Sequence, residues 1–434
     1  MNKVTVIGGG LAGSEAAWQL ARHNIEVDLY EMRPQKMTAA HQTGYLAELV
    51  CSNSLKSEAV ATAQGLLKAE MRSLNSLILS SADTCRVPAG SALAVDRLRM
   101  AECVTQRLQA EPLINLINQE VKTIPPGIVI IATGPLTEGD FWQSLNNFCA
   151  EEALFFYDAV APIVTTTSIN MQSAFRAARY DKGGKDYINC PLRQEEYEVF
   201  YQALIQADVH QGHDMDELQV FEGCMPIEVM AGRGVDTLRY GPMRPVGLPD
   251  PISGEQYYAV LQLRQEDLEG NLYGLVGFQS RLRWPEQDRV FRLIPALREA
   301  EFVRYGVMHR NTYINSPHLL KPTLQFIKAP ELFAAGQITG VEGYMESAAS
   351  GIIAGINAAR IAKEQPPLIW PQETMIGSLL HYISSSPTSK LSPMNANFGI
   401  LPPLEQKIRG KKQRYEAYSN RALQVMGELS ELLS

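Results

Sequence analysis

Apolar residues follow two different rhythms in the first 31 residues of this chain. Lys3-Val4-Thr5-Val6-Ile7 is a short β-branched run, which predicts a strand buried on both faces. From Ser14 to His23 the apolar positions Ala16, Ala17, Leu20 and Ala21 fall at helical spacing. Glu26 to Tyr30 predicts a second strand, closed by Glu31. Between the first strand and the helix lies Gly8-Gly9-Gly10-Leu11-Ala12-Gly13.

The later pattern is less regular. Residues 54–80 read as helical, with Leu55, Leu66, Leu67, Leu74, Leu77 and Ile78 at packing positions. Residues 127–134 predict an apolar strand ending in a sharp turn at Ala132-Thr133-Gly134. Residues 155–305 alternate short strand-like and helical pieces and carry prolines at 226, 242, 245, 249 and 251; they predict an inserted second domain. Residues 332–336 predict a buried strand running into Gly340, Gly343 and a small-residue helix from Glu346 to Ala362. Pro366, Pro367 and Pro371 mark 365–372 as a linker, and a C-terminal helix is expected over 403–433.

The strand–glycine–helix unit has a physical logic. Gly8 permits the tight turn, Gly10 lets backbone amides approach a pyrophosphate, and Gly13 allows close helix–strand packing. With Gly9, Leu11 and Ala12 these residues form the turn that aims a helix N-terminus at phosphates. Glu31, close to the expected separation from the glycines, is placed to accept from ribose hydroxyls. Ala132-Thr133-Gly134 resembles the second signature of two-dinucleotide-domain flavoproteins, and Leu332 to Gly343, with Gly336, Gln337 and Gly343, resembles their late strand; both resemblances favour FAD over NAD. The late motif departs from the usual pattern by carrying Gln337 where flavoproteins of this type have Asp. A single dinucleotide fingerprint means that a nicotinamide visits the flavin transiently. The fold class is therefore α/β: a Rossmann-like, glutathione-reductase-like FAD-binding domain made of 1–155 and 305–434, with an inserted α+β domain at 156–304 on the substrate side.

Composition narrows the setting. The chain has 434 residues, is 45% hydrophobic and carries a formal net charge of −8, so any nucleic-acid partner must be held by a local basic patch. No apolar run is long enough to span a membrane. The six cysteines have no C-x-x-C pair and no metal-ligand spacing, which predicts a reduced, cytoplasmic protein with no metal site.

Four segments then carry a resemblance. Met308-His309-Arg310-Asn311-Thr312-Tyr313-Ile314-Asn315-Ser316-Pro317 and Ala335-Gly336-Gln337-Ile338-Thr339-Gly340-Val341-Glu342-Gly343-Tyr344-Met345-Glu346-Ser347-Ala348 resemble the GidA-like tRNA-modifying flavoproteins. Cys51-Ser52-Asn53-Ser54-Leu55-Lys56-Ser57 and Glu222-Gly223-Cys224-Met225-Pro226-Ile227-Glu228 are similar to their short branch, the folate- and FAD-dependent tRNA (uracil-5-)-methyltransferases. The resemblance implies that NAD(P)H reduces FAD, that 5,10-methylenetetrahydrofolate donates one carbon, and that the product is 5-methyluridine at position 54 of the tRNA T-loop. It implies a tRNA substrate, no membrane and no obligatory protein partner, and leaves the oligomeric state open.

Uracil C5 is a poor nucleophile until a thiolate adds at C6, so the reaction needs a cysteine. Cys224 matches the family's catalytic cysteine, and Cys51 its second, flavin-side cysteine. His309 and Asn311 are implied to face the folate pterin, and Tyr344, Glu346 and Ser347 the flavin ring. Two basic stretches are RNA candidates. Residues 281–310 hold seven arginines, Arg281 and Arg283 among them, with Trp284 and Phe291 interleaved. Residues 405–421 include Lys407, Arg409, Lys411, Lys412 and Arg414. Taken alone, either stretch also fits a solvated helix face. Alternatives that the motifs leave open are the same chemistry on ribosomal RNA, a GidA-type wobble-uridine modifier, an RNA-binding flavoprotein without turnover, and an RNA-independent flavin oxidoreductase.

Overall fold

The fold was analysed in a computed structural model, which describes residues 3–38, 40–150, 154–181, 184–210, 225–386, 390–406 and 408–433. The side chains of Phe156, His309 and 430–433 lie outside that description.

Val4–Ile7 is the central strand of a five-stranded parallel sheet. In order across the sheet run Leu332–Ala334, Ile128–Ile131, Val4–Ile7, Val27–Glu31 and Ile114–Asn118. The register sets Ile7 beside both Tyr30 and Ile131, so three strands end level with the glycine turn. Their apolar runs are continuous because helices cover both faces. The helix after the turn begins at Leu11, three residues earlier than the apolar spacing suggested, and runs to Arg22. It packs against Tyr344–Ala362, the longest helix of this half apart from the C-terminal one. That contact is close because of two glycines: a Cβ on Gly351 would sit 2.1 Å from the Ala12 carbonyl oxygen, and one on Gly355 2.7 Å from that of Ala16.

A second, separate hydrophobic core lies between Val164 and Ala300. It is built on a six-stranded antiparallel sheet in the order Phe175–Ala177, Tyr187–Leu192, Ala259–Gln265, Leu272–Leu275, Ile163–Thr165 and Phe302–Arg304. A two-stranded antiparallel ladder, Leu154–Ala159 with Met308–Tyr313, joins the two halves.

Several expectations need correction. Residues 54–80 are not one helix. Ser54–Ser57 is a strand, followed by helices Ala63–Ser73 and Leu77–Thr84. Thr62 caps the first by accepting from Gly65 N, Ser76 caps the second by accepting from Leu79 N, and Asn75 breaks the run at φ 57°. The proline-rich 365–372 segment is packed, not a loose linker. Trp370 is 2% exposed, and the Asn357 amide bonds the backbone of Leu368 in both directions. The C-terminal helix starts at Lys411, after Gly410 at φ 95°, not near 403. A helix at Met375–Ser385, absent from the sequence reading, is capped by Thr374. Among the described residues, no helix is long and apolar enough to cross a membrane.

Candidate active site

At the carboxyl ends of the parallel strands a cleft opens between the N-termini of the helices Leu11–Arg22 and Tyr344–Ala362. Gly8, Gly10, Leu11, Ala12, Glu31, Gly134, Gly336, Gln337, Tyr344 and Ser347 all line it. A dinucleotide fits this cradle on two local grounds. A Cβ on Gly10 would meet nothing within 4 Å, so the backbone there faces open cleft. The first turn of the Leu11 helix carries no acidic residue, leaving its amide end for an anion.

Gly13 and Gly9 act within the fold. A Cβ on Gly13 would lie 1.8 Å from the Gly8 carbonyl oxygen, and Gly9 donates its N–H to Glu31 Oε2 at 2.9 Å. Glu31 is more heavily engaged than the sequence implied. Oε1 accepts from Arg33 N and Nε, each at 3.0 Å, and Oε2 from Gly9 N and from Arg33 Nη2 at 3.1 Å. Those bonds occupy the usual acceptor positions of one carboxylate, so a ribose hydroxyl would have to share them. Burial opposes ionisation of Glu31, but the hydrogen bonds and charge of Arg33 outweigh it and hold the carboxyl below its usual range. Lys36, Thr38, His41, Gln119 and Thr137 also line the cleft and were not singled out in the sequence, for want of a motif around them.

At the other end of the cleft stands Tyr344, whose hydroxyl burial pushes far up its titration range. Its oxygen accepts from the N–H groups of Cys51 and Ser52. The rest of this short loop is held just as firmly. Arg97 donates to the Leu49 carbonyl at 3.5 Å and Arg304 to that of Val50 at 2.6 Å. Arg264 donates Nε to Asn53 Oδ1 at 2.7 Å and Nη2 to Ser52 Oγ at 2.8 Å. Asn53 Nδ2 donates to Val95 O and Gln265 O. Arg97 is itself paired with Glu266. Every residue from Leu49 to Asn53 is therefore tied, by side chains from both halves.

The Cys51 thiol points at Asp158 Oδ2, 3.8 Å away, and the Ala159 carbonyl, 3.7 Å away. His309 is the register partner of Asp158 on the two-stranded ladder, and Asn311 that of Phe156, so by register both positions fall on the face of the ladder that carries Asp158. Asn311 is buried. Glu342 is pushed up to about 8 by burial and then by the charge of Asp158, and it accepts from Gln337 Nε2.

Other expectations move. Gly343, at φ 115°, lies over the Glu346 carboxylate, and Glu346 accepts from Ala396 N at 2.9 Å, so it braces a loop and does not line the cleft. Arg281 is no surface phosphate contact: it is buried and faces the buried Glu228 at 3.5 Å. Arg283, Arg409, Lys411, Lys412 and Arg414 are exposed. Cys224 and Lys407 lie outside the described residues. Of the other cysteines, Cys85, Cys149 and Cys190 are buried and Cys103 half-buried, as small packing residues.

The family model described as "Glucose inhibited division protein A" matches residues 3–366. Proteins named methylenetetrahydrofolate--tRNA-(uracil-5-)-methyltransferase TrmFO match over the full length. The Syntrophomonas wolfei protein is 61% identical over 100% of both chains, and the Moorella thermoacetica protein 58% identical over 99% of both. The chain belongs to the TrmFO family. The fold agrees: the solved structure of Aquifex aeolicus GidA superposes with a TM-score of 0.70 over 99% of this chain and 73% of that one, at 18% identity. Of the four quoted segments, 335–348 lines the cleft through Gly336, Gln337, Tyr344 and Ser347, and the Cys51 segment is tied to it through Tyr344.

Proposed function

We propose that the protein is a flavin- and folate-dependent tRNA methyltransferase that forms 5-methyluridine at position 54 of the T-loop, with residues 156–304 as the substrate-side domain. The relatives' shared name supports the activity, and one structural observation carries it: the Cys51 loop is fastened to Tyr344, a residue of the same cleft that the glycine turn lines.

Gly8, Gly10, Leu11 and Ala12 would hold FAD in the cleft, with Gly336, Gln337, Tyr344 and Ser347 on its other wall. Bound there, it would supply reducing equivalents from NAD(P)H and one-carbon chemistry with methylenetetrahydrofolate. Cys224 attacks uracil C6, making C5 nucleophilic. Cys51, beside Asp158, handles a proton at the reacting base. His309 and Asn311 hold the folate. Exposed Arg283, Arg409, Lys411, Lys412 and Arg414 contact phosphates. No protein partner is needed, and the enzyme is cytoplasmic.

The test uses an unmodified tRNA transcript, NAD(P)H and methylenetetrahydrofolate labelled in its one-carbon unit. Label is expected in 5-methyluridine of the T-loop and is lost in Cys224→Ala. Yellow protein whose flavin is reduced by NAD(P)H, yet which transfers no label to tRNA, overturns the reading.

A further inference from the structure

The six-stranded antiparallel sheet has one face buried in the second core and one half-buried face. Ile188, Cys190, Leu261, Leu263 and Leu275 point into the second core. By register, the opposite face carries Phe175, Asn189 and Gln262 in one row and Ala177, Tyr187 and Arg264 in the next. This face is polar, and its side chains are joined. Arg179 Nη2 donates to Gln262 Oε1 at 3.1 Å, Gln262 Nε2 to Asn189 Oδ1 at 3.0 Å, and Asn189 Nδ2 to the Ala177 carbonyl at 3.1 Å.

One end of the face reaches the candidate active site, since Arg264 is the side chain that grips Ser52 and Asn53 beside Cys51. The other end is open and basic. Arg244 is exposed, and its side chain makes no ion pair or hydrogen bond among the described residues. Arg179 Nη1 donates to the Val246 carbonyl, two residues along the chain from Arg244, and burial together with the charge of Arg244 pushes Arg179 down. Two of the nearby carboxylates are already engaged. Asp250 accepts from the Tyr257 hydroxyl and from Ile252 N and Ser253 N, and Asp186 accepts from Gly90 N. Aromatic rings sit among these charges: Phe175 stacks on Tyr257 at 5.8 Å and 22°.

Resting on the proposed tRNA reading, we infer that the Arg244 end of this polar sheet face is an RNA-binding surface, with Arg179 and Arg244 clamping a phosphate and Phe175 and Tyr257 offering a stacking platform for the strand that leads toward Cys51. Paired guanidinium groups match phosphate oxygens, and an aromatic-bearing sheet face suits unpaired bases. Neither basic stretch picked out in the sequence includes these residues.

The experiment compares tRNA binding by the wild-type holoenzyme, Arg244→Glu and Lys328→Glu across a salt series. Lys328 is exposed on the other half and controls for the same change in net charge. Arg244→Glu is expected to weaken binding about tenfold or more and to flatten the salt dependence by roughly one phosphate contact. Its flavin content and flavin reduction by NAD(P)H should match wild type, and Lys328→Glu should bind tRNA as wild type does. Unchanged binding by Arg244→Glu, or an equal loss in Lys328→Glu, overturns the surface alone. A wild-type enzyme that does not retain tRNA overturns the functional reading and this inference with it.

Discussion

The hydroxyl oxygen of Tyr344 accepts the backbone N–H of Cys51 at 2.6 Å, across 293 residues of sequence, and that of Ser52 at 3.0 Å. Cys51, proposed above to act at the reacting base, is thus positioned through its own backbone, by a ring rooted in the first turn of the Tyr344–Ala362 helix. Tyr344→Phe keeps the ring and removes the acceptor, leaving two amides without a partner. We expect a loss of about 1–3 kcal/mol in stability and faster modification of Cys51 by iodoacetamide, followed by mass spectrometry. A variant with wild-type melting and wild-type Cys51 reactivity would show that the hydroxyl positions nothing.

Asp158 is the carboxylate that faces the Cys51 thiol. If the thiol moves a proton during turnover, the adjoining carboxylate is part of its path. Asp158→Asn is expected to lower the single-turnover methylation rate about 10²-fold or more, with flavin content unchanged and Asp158→Glu recovering part of the loss. Equal rates in Asp158→Asn and wild type would confine Asp158 to a packing role.

Two glycines of one motif should fail differently. Gly10 opens onto the cleft, whereas a Cβ on Gly13 would strike the Gly8 carbonyl. Gly10→Ala is predicted to fold as stably as wild type in the FAD-free form and to bind FAD at least about tenfold more weakly, because the methyl occupies ligand space. Gly13→Ala is predicted to cost about 3 kcal/mol or more in stability, whether or not flavin is present. Calorimetry of the FAD-free proteins with a flavin titration separates the two, and equal melting of both variants would remove the distinction.

These contrasts explain what was legible in the sequence. The strand, turn and helix at 4–22 could be read because their signals are local: a β-branched run, glycines at fixed spacing and a helical period. The same local reading misled at 54–57, where Leu55 turns in and Lys56 out over a strand too short to show alternation. It misled again at Arg281, since nothing nearby reveals that Glu228 waits in the core to pair with it. The fastening of Leu49–Asn53 was invisible for the same reason: its partners come from residues 97, 264, 304 and 344. The roles of Cys224, Cys51, His309 and Asn311 came from resemblance, not from any pattern in the residues.

The last prediction concerns pH. Glu70 is fully buried and accepts from Met375 N at 2.7 Å and Ile376 N at 2.9 Å, at the start of the Met375–Ser385 helix. Burial pushes its carboxyl up to about 8, although the two amides favour the charged form. An acid raised in this way is protonated in the folded state while the unfolded chain has already released its proton. Its contribution is fully present below the ordinary carboxylate range, near 4.5, and is lost as pH rises through about 8. Glu15, pushed up to about 7, and Glu342, up to about 8, act in the same direction. Glu70→Gln cannot ionise, and its amide oxygen still faces both N–H groups. Urea unfolding should therefore show a smaller loss of stability between about pH 5 and about pH 8 in the variant than in wild type. Parallel pH profiles would mean that the helix amides, not burial, govern Glu70 and that it is charged in the folded protein.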